Sequence, residues 1–233
     1  RAGSQIITTN TYASSRIMLK SAGFEKRFEE VNLKAVNSAL KAREETGYKD
    51  VIIAGSISHR YPIADGDTKS NASIQVSKLE LQEATEEMAL LLTNNGCDII
   101  LLEMMYRPER MKIIFDIVKK LNIPIWVCFS CRKSDKGEIL SLTDETVVPF
   151  SEMIAISKEY NFDAWGIMHT SEDILGECIK MIKANFNGPI LSYPDTGGWI
   201  SPNWIFDSVI EPEKFREKAN GWFALGAQII GGC

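Results

Sequence analysis

The sequence lacks a basic tract, a long apolar run and a glycine-rich nucleotide fingerprint. Lys and Arg number 26 against 31 Asp and Glu, for a net charge of −5, and the cations are scattered. Nucleic acid is therefore not expected as a partner, because neutralising phosphates needs clustered Lys and Arg. No apolar run approaches the roughly 18 residues of a membrane span, so no membrane role is expected. The absence of a glycine-rich turn between a strand and a helix argues against an open, doubly wound sheet. Cysteine is sparse, at 5 in 233 residues, and does not read as a disulfide framework. Nothing at the start reads as a signal peptide, so a reducing, cytoplasmic setting is expected. The first residue is Arg1 rather than Met, and the chain stops on Cys233 directly after a strand-like run. Both ends look cut, and the expectation is a fragment.

What is present is an alternation. Short β-rich runs recur at 5–10, 51–56, 98–103, 125–130, 163–169, 189–194 and 227–233. Most are continuously apolar, which suits strands covered on both faces of a parallel sheet. Helical patterns lie between them. In one, Leu81, Ala84, Met88 and Leu91 share a face, with Ser77 as N-cap and Gly96 as stop. Another puts Met111, Ile114, Phe115, Val118 and Leu121 on one face. A third starts at Ser171 as N-cap and ends before Gly188. Alternating strand and helix means βα units, and seven such runs are one short of a closed (β/α)8 TIM barrel. The predicted fold is α/β: a fragment of that barrel, a single domain over 1–233 covering about strands 2 to 8. The C-terminal tips carry Asn10, Ser56, Glu103, Ser130, His169, Tyr193 and Cys233, and barrel active sites are built at those tips. Long loops at 57–74, 131–148 and 195–210 are candidate substrate walls.

Cys233 and His169 are the candidate metal ligands, since thiolate and imidazole bind Zn2+. Tyr61, Tyr193, Trp199 and Trp204 could offer faces to an onium cation. Residues three apart in a strand point to opposite faces. Cys128 is thus expected in the core, with Cys131 undecided, and Cys97 and Cys178 buried. His59 is open to either a solvated or a site-facing role. Gly231 and Gly232 allow a rival reading, a phosphate cradle of the kind found late in barrels.

The stretches "AGSQIITTNTYASS", "IIAGSIS", "LLEMM", "DAWGIMHTSED", "PILSYPDTGGW" and "ALGAQIIGGC", in that order, resemble the homocysteine S-methyltransferase family of zinc-dependent barrels. Family members read Gly-Gly-Cys-Cys at the last motif, and both cysteines bind zinc. The resemblance implies that this chain lacks the first strand, the second of those cysteines and the final helix. It implies that Glu103 contacts a substrate amino group. On this footing the substrate-binding set is Glu103, Asn10, Thr11, Tyr12, Ser56, Tyr193 and Asp195, and the metal set is His169 and Cys233. The family's sixth strand carries Gly-x-Asn-Cys-Thr, whose cysteine is the third zinc ligand. Here the residues are Gly166, Ile167, Met168, His169 and Thr170, so histidine stands where the cysteine would be. A Cys2His zinc site is a known catalytic arrangement, and zinc is expected to be retained.

The expected activity is zinc-dependent transfer of a methyl group from a sulfonium or quaternary ammonium donor to the thiol of homocysteine, giving methionine. Two alternatives stand beside it: a phosphate-binding barrel isomerase or aldolase, and a metal-free onium-binding barrel without catalysis. The segment by itself is expected to be nearly inactive and, with open sheet edges, to aggregate.

Overall fold

The structure, a computed structural model, describes residues 3–63, 74–142, 146–200, 203–206 and 209–232. Seven strands form one sheet: β1 (Ile6–Thr8), β2 (Ile52–Ser58), β3 (Ile99–Met105), β4 (Ile125–Phe129), β5 (Ala164–Ser171), β6 (Ile190–Asp195) and β7 (Ile229–Ile230). They stand side by side in chain order, and every pairing is parallel. A doubly wound sheet would reverse its strand order at a switch point; this one does not. The helices are α1 (Arg16–Ser21), α2 (Phe28–Thr46), α3 (Lys78–Asn94), α4 (Pro108–Val118), α5 (Phe150–Ser157), α6 (Leu175–Lys183) and α7 (Pro212–Leu225). The arrangement is that of a (β/α)8 barrel over seven of its strands.

Two apolar clusters divide the sheet's faces, as the period of two dictates. Ile53, Ile57, Ile100, Leu102, Val127, Phe129, Trp165 and Ile167 face the helices and meet Met88, Leu92, Phe115, Val118 and Ile179. Ala54, Ile99, Leu101, Cys128, Met168 and Leu191 form the smaller cluster on the other face, with Ile6, Trp126, Tyr193 and Ile229 against it. That second face is the barrel interior. Gly166 belongs to it. A Cβ there would stand 2.7 Å from Leu191 Cβ and 2.9 Å from the Leu191 carbonyl oxygen.

The register is pinned by a repeated device. The residue just before a strand accepts a hydrogen bond from the first amides of the neighbouring strand. Asp98 Oδ2 accepts from Ile53 N at 2.7 Å, Asp163 Oδ2 from Ile125 N at 2.8 Å, and Gln228 Oε1 from Ile190 N at 3.3 Å. Asp98 is held in turn by Arg43 Nη1 at 2.7 Å.

Helix limits follow local chemistry. Ser77 caps α3 in a reciprocal box: its Oγ accepts from Glu80 N at 3.1 Å, and Glu80 Oε2 accepts from Ser77 N at 2.9 Å. Asn95 follows α3, and Gly96 then takes a φ of +98°. Met111, Ile114, Phe115 and Val118 are buried on α4 as expected, whereas Leu121 lies past the helix end. On α3 Leu92 is buried, and Leu91 is only partly so. One expectation fails. Ser171 does not cap α6, because β5 runs through Ser171 and the helix begins only at Leu175. A bulge in β5 between Met168 and Ser171 consumes the extra residues. The loop at 131–148 holds a hairpin of Cys131–Lys133 with Ile139–Ser141, and the loop at 195–210 holds one of Gly198–Ile200 with Asn203–Ile205. No described helix is long and apolar enough to cross a membrane.

Gly166→Ala should destabilise the chain by about 1–3 kcal/mol through overpacking against Leu191. A urea titration checks this: the midpoint should fall with an unchanged slope.

Candidate active site

Two non-glycine residues among those described have a left-handed backbone, Met104 at φ +51° and His169 at φ +47°. Both sit at C-terminal strand tips, in β3 and β5, and both fall inside a break in sheet register, Leu102–Met105 and Met168–Ser171. Bulges re-aim side chains, and such backbone strain concentrates at functional sites. The result is a meeting across the interior. His169 Nε2 stands 3.8 Å from Glu103 Oε2, although β4 lies between their strands. Glu103 is 6 % exposed.

The end of β5 is braced from two sides. The Met168 carbonyl accepts from Ser130 Oγ at 2.8 Å and from Thr170 Oγ1 at 2.9 Å, and Cys131 N donates to Thr170 Oγ1 at 3.0 Å. Tyr12 closes the other side, its ring stacked on His169 with centroids 5.4 Å apart. Its hydroxyl contacts Met104 Sδ and accepts from Arg60 Nη1 at 2.7 Å. Burial pushes the Tyr12 phenol up from its ordinary value, against the opposing pull of Arg60. It stays neutral. Sequence reasoning missed Arg60 and Met104. Arg60 lies just past a strand end beside His59, and a cation at a barrel mouth is a signal it could have used.

The other expected residues divide. Thr11 is a scaffold residue, with Oγ1 donating to the Ser56 carbonyl at 2.8 Å and lying 2.8 Å from Thr9 Oγ1. Ser56 is fully buried, and its Oγ has no hydrogen-bond partner among the described residues. Asn10 is exposed. Tyr193 and Asp195 lie on β6, opposite Met168 and Ser171 of β5, and Asp195 Oδ1 accepts from Gly197 N at 3.2 Å. Cys233 lies outside the described residues, as do the side chains of Trp199 and Trp204.

Several open points close. Tyr61 does not offer a free pair of faces to an onium ion, because the Arg110 guanidinium lies 3.4 Å from its ring centre. The space above Gly231 is filled by the Tyr193 ring, 2.2 Å from where a Cβ would be, and a Cβ on Gly232 would stand 3.0 Å from the Phe215 ring. Gly231 N donates to the Ser192 carbonyl at 3.0 Å. These contacts leave little of an open phosphate cradle. Cys128 lies in the interior cluster, while Cys131 faces the helices beside Cys178. Burial pushes both the Cys128 and Cys131 thiols up, and Cys97 to about 12. They remain thiols. Among the described residues, no group of three or more His, Cys, Asp and Glu side chains stands ready to hold a metal ion.

Parallel strands in chain order, with a buried acid beside a half-buried imidazole at their C-terminal ends, define an α/β barrel enzyme. A family model described as homocysteine S-methyltransferase matches residues 1–233. The chain belongs to that family and is a methyltransferase. It is 24 % identical over 250 residues to "Homocysteine S-methyltransferase 1" of Arabidopsis thaliana, covering all of this chain and 75 % of that protein. It is 26 % identical over 186 residues to "Homocysteine S-methyltransferase YbgG" of Bacillus subtilis, covering 78 % of this chain and 56 % of that one. Its fold is similar to the metallated form of the homocysteine methyltransferase MmuM from Escherichia coli. That match has a TM-score of 0.74 at 20 % identity and covers all of this chain and 76 % of the other.

His59, left open by the sequence, is fully buried. Its Nε2 accepts from Tyr106 N at 3.0 Å and Arg107 N at 3.4 Å. Burial, then Arg110, depresses it to about 3. The unfolded chain binds a proton there near pH 6.5, so acid between those values favours unfolding. Stability should fall as pH drops from about 6.5 towards 3, with His59 contributing about one proton taken up. Urea titrations across that range should show a shallower slope for His59→Gln than for the parent.

Proposed function

We propose that the enzyme transfers a methyl group from a sulfonium or quaternary ammonium donor to the thiol of homocysteine, giving methionine. The observation that carries this reading is the approach of His169 to Glu103, 3.8 Å apart at the tips of β3 and β5 on bulged backbone. The acceptor sulfur attacks the donor methyl carbon in line. A carbon–sulfur bond forms, the carbon–onium bond breaks, and a neutral sulfide or tertiary amine leaves. The thiol proton passes to solvent. The Glu103 carboxylate holds the substrate ammonium, and its buried position strengthens that attraction. Ser56, with an unsatisfied hydroxyl facing the interior, is available to a substrate polar group. Tyr12 is a neutral wall against His169.

The donor set fits zinc in kind. His169 and Cys233 are the residues that would hold it, and the metal would supply Lewis acidity that keeps a bound thiol deprotonated near neutral pH. The imidazole in place of a thiolate makes that set less negative. A cytoplasmic setting accords with the four cysteines among the described residues, all free and buried.

The test is methionine formation from L-homocysteine with betaine, S-methylmethionine, a dimethylsulfonium compound and S-adenosylmethionine in turn. It should be measured on the chain together with any residues that flank it in its gene. Product with at least one donor is expected; none with any donor refutes the reading. Elemental analysis should find zinc in the parent and in His169→Cys, and a loss of at least about tenfold in affinity in His169→Ala. Equal zinc binding by His169→Ala would remove His169 from the metal set.

A further inference from the structure

The mouth of the barrel holds a cation that the reaction has not used. Arg60 lies two residues past the end of β2. Its Nη1 donates to the Tyr12 hydroxyl at 2.7 Å and reaches Met104 Sδ at 3.9 Å. Tyr12 is itself fixed by Ser58 Oγ, which donates to its carbonyl at 2.9 Å. Met104 directly follows Glu103. The guanidinium and the Glu103 carboxylate thus both act on Tyr12, whose ring lies against His169.

Its partners are neutral. Arg16, Arg27, Arg43 and Arg107 each lie within 4 Å of an acid: Glu87, Glu30, Asp98 and Glu109. No carboxylate among the described residues pairs with Arg60, in a chain where acids outnumber bases 31 to 26. The phenol cannot supply the missing charge while it stays protonated. A guanidinium presents several N–H donors in a planar fork that matches a carboxylate, and Nη1 uses only part of that capacity on Tyr12. An amino acid carries an ammonium and a carboxylate on one carbon. Glu103 alone would satisfy the first and repel the second.

We propose that Arg60 binds the carboxylate of an amino-acid substrate while Glu103 binds the ammonium, so that the mouth recognises a zwitterion. This rests on the methyl-transfer reading above and names a recognition residue for it. Two substrates could bring that carboxylate, the thiol acceptor or an amino-acid sulfonium donor, and the experiment separates them.

Calorimetric binding should be measured for the parent, Arg60→Gln and Arg60→Lys. The probes are L-homocysteine, its decarboxylated analogue 3-aminopropane-1-thiol, and S-methyl-L-methionine. Arg60→Gln should weaken L-homocysteine by about 10- to 100-fold, the range for a hydrogen bond to a charged group. It should leave 3-aminopropane-1-thiol within about threefold. Arg60→Lys, which keeps the charge and loses the fork, should fall between. A loss confined to S-methyl-L-methionine supports the proposal with the donor as the source. Equal losses for the thiols with and without a carboxylate would overturn it, since a structural defect does not distinguish them. Unchanged binding of both carboxylate probes would also overturn it. A parent that binds neither L-homocysteine nor S-methyl-L-methionine would instead bring down the methyl-transfer reading, and this proposal with it.

Discussion

Everything at the mouth depends on the register of the parallel sheet. Side chains alternate between faces, so a slip of one residue would send Glu103 to the helices and Leu102 to the interior. Three pre-strand residues hold the register. Asp163 and Gln228 accept from the first amide of the neighbouring strand, and Asp98 from the second. The device works because β3, β5 and β7 each begin one or two residues beyond the start of the strand before them in the sheet. The same residue that ends a loop thereby sets which polar groups reach the far end, several residues away.

The bulges then do what register cannot. A regular strand would send residues at the tips of β3 and β5 straight up from the sheet. Left-handed residues at 104 and 169 turn the chain so that an acid and an imidazole converge from strands that are not neighbours. Such conformations cost of order 1–3 kcal/mol each. The surroundings offset that cost locally: Ser130 and Thr170 fix the Met168 carbonyl, and Tyr12 lies against the imidazole. Rigid elements carry the site, with one loop residue, Tyr12, closing it.

The sheet was legible because its strands are nearly all apolar and separated by helical periods. All seven runs are strands, although β1 and β7 are shorter than the sequence suggests. Cys128 lies in the interior as expected, and Cys131, past the end of β4 at Phe129, packs against the helices instead. The start of α6 was not legible. Ser171 has the chemistry of a cap, and only the unseen bulge made it the end of a strand. The site was half legible. Glu103 and His169 stood out by their place at strand tips and Tyr12 by the family resemblance, and the three do come together. Met104 carried no such signal, since methionine has no tendency towards positive φ. Arg60 was hidden because its role depends on a tyrosine hydroxyl 48 residues away in the chain. Tyr61 looked like a cation receptor, but a nearby arginine already occupies one face.

The left-handed backbone at 104 and 169 sets stability and chemistry in opposition. Glycine has no Cβ to clash at positive φ, so it would relieve strain at both positions. It would also erase the imidazole and the methionine that faces Tyr12. Selection for heat resistance alone would therefore drift towards glycine at these two positions and yield a sturdier barrel with no reaction. Any campaign to harden this enzyme has to hold positions 104 and 169 fixed and look for its gains elsewhere.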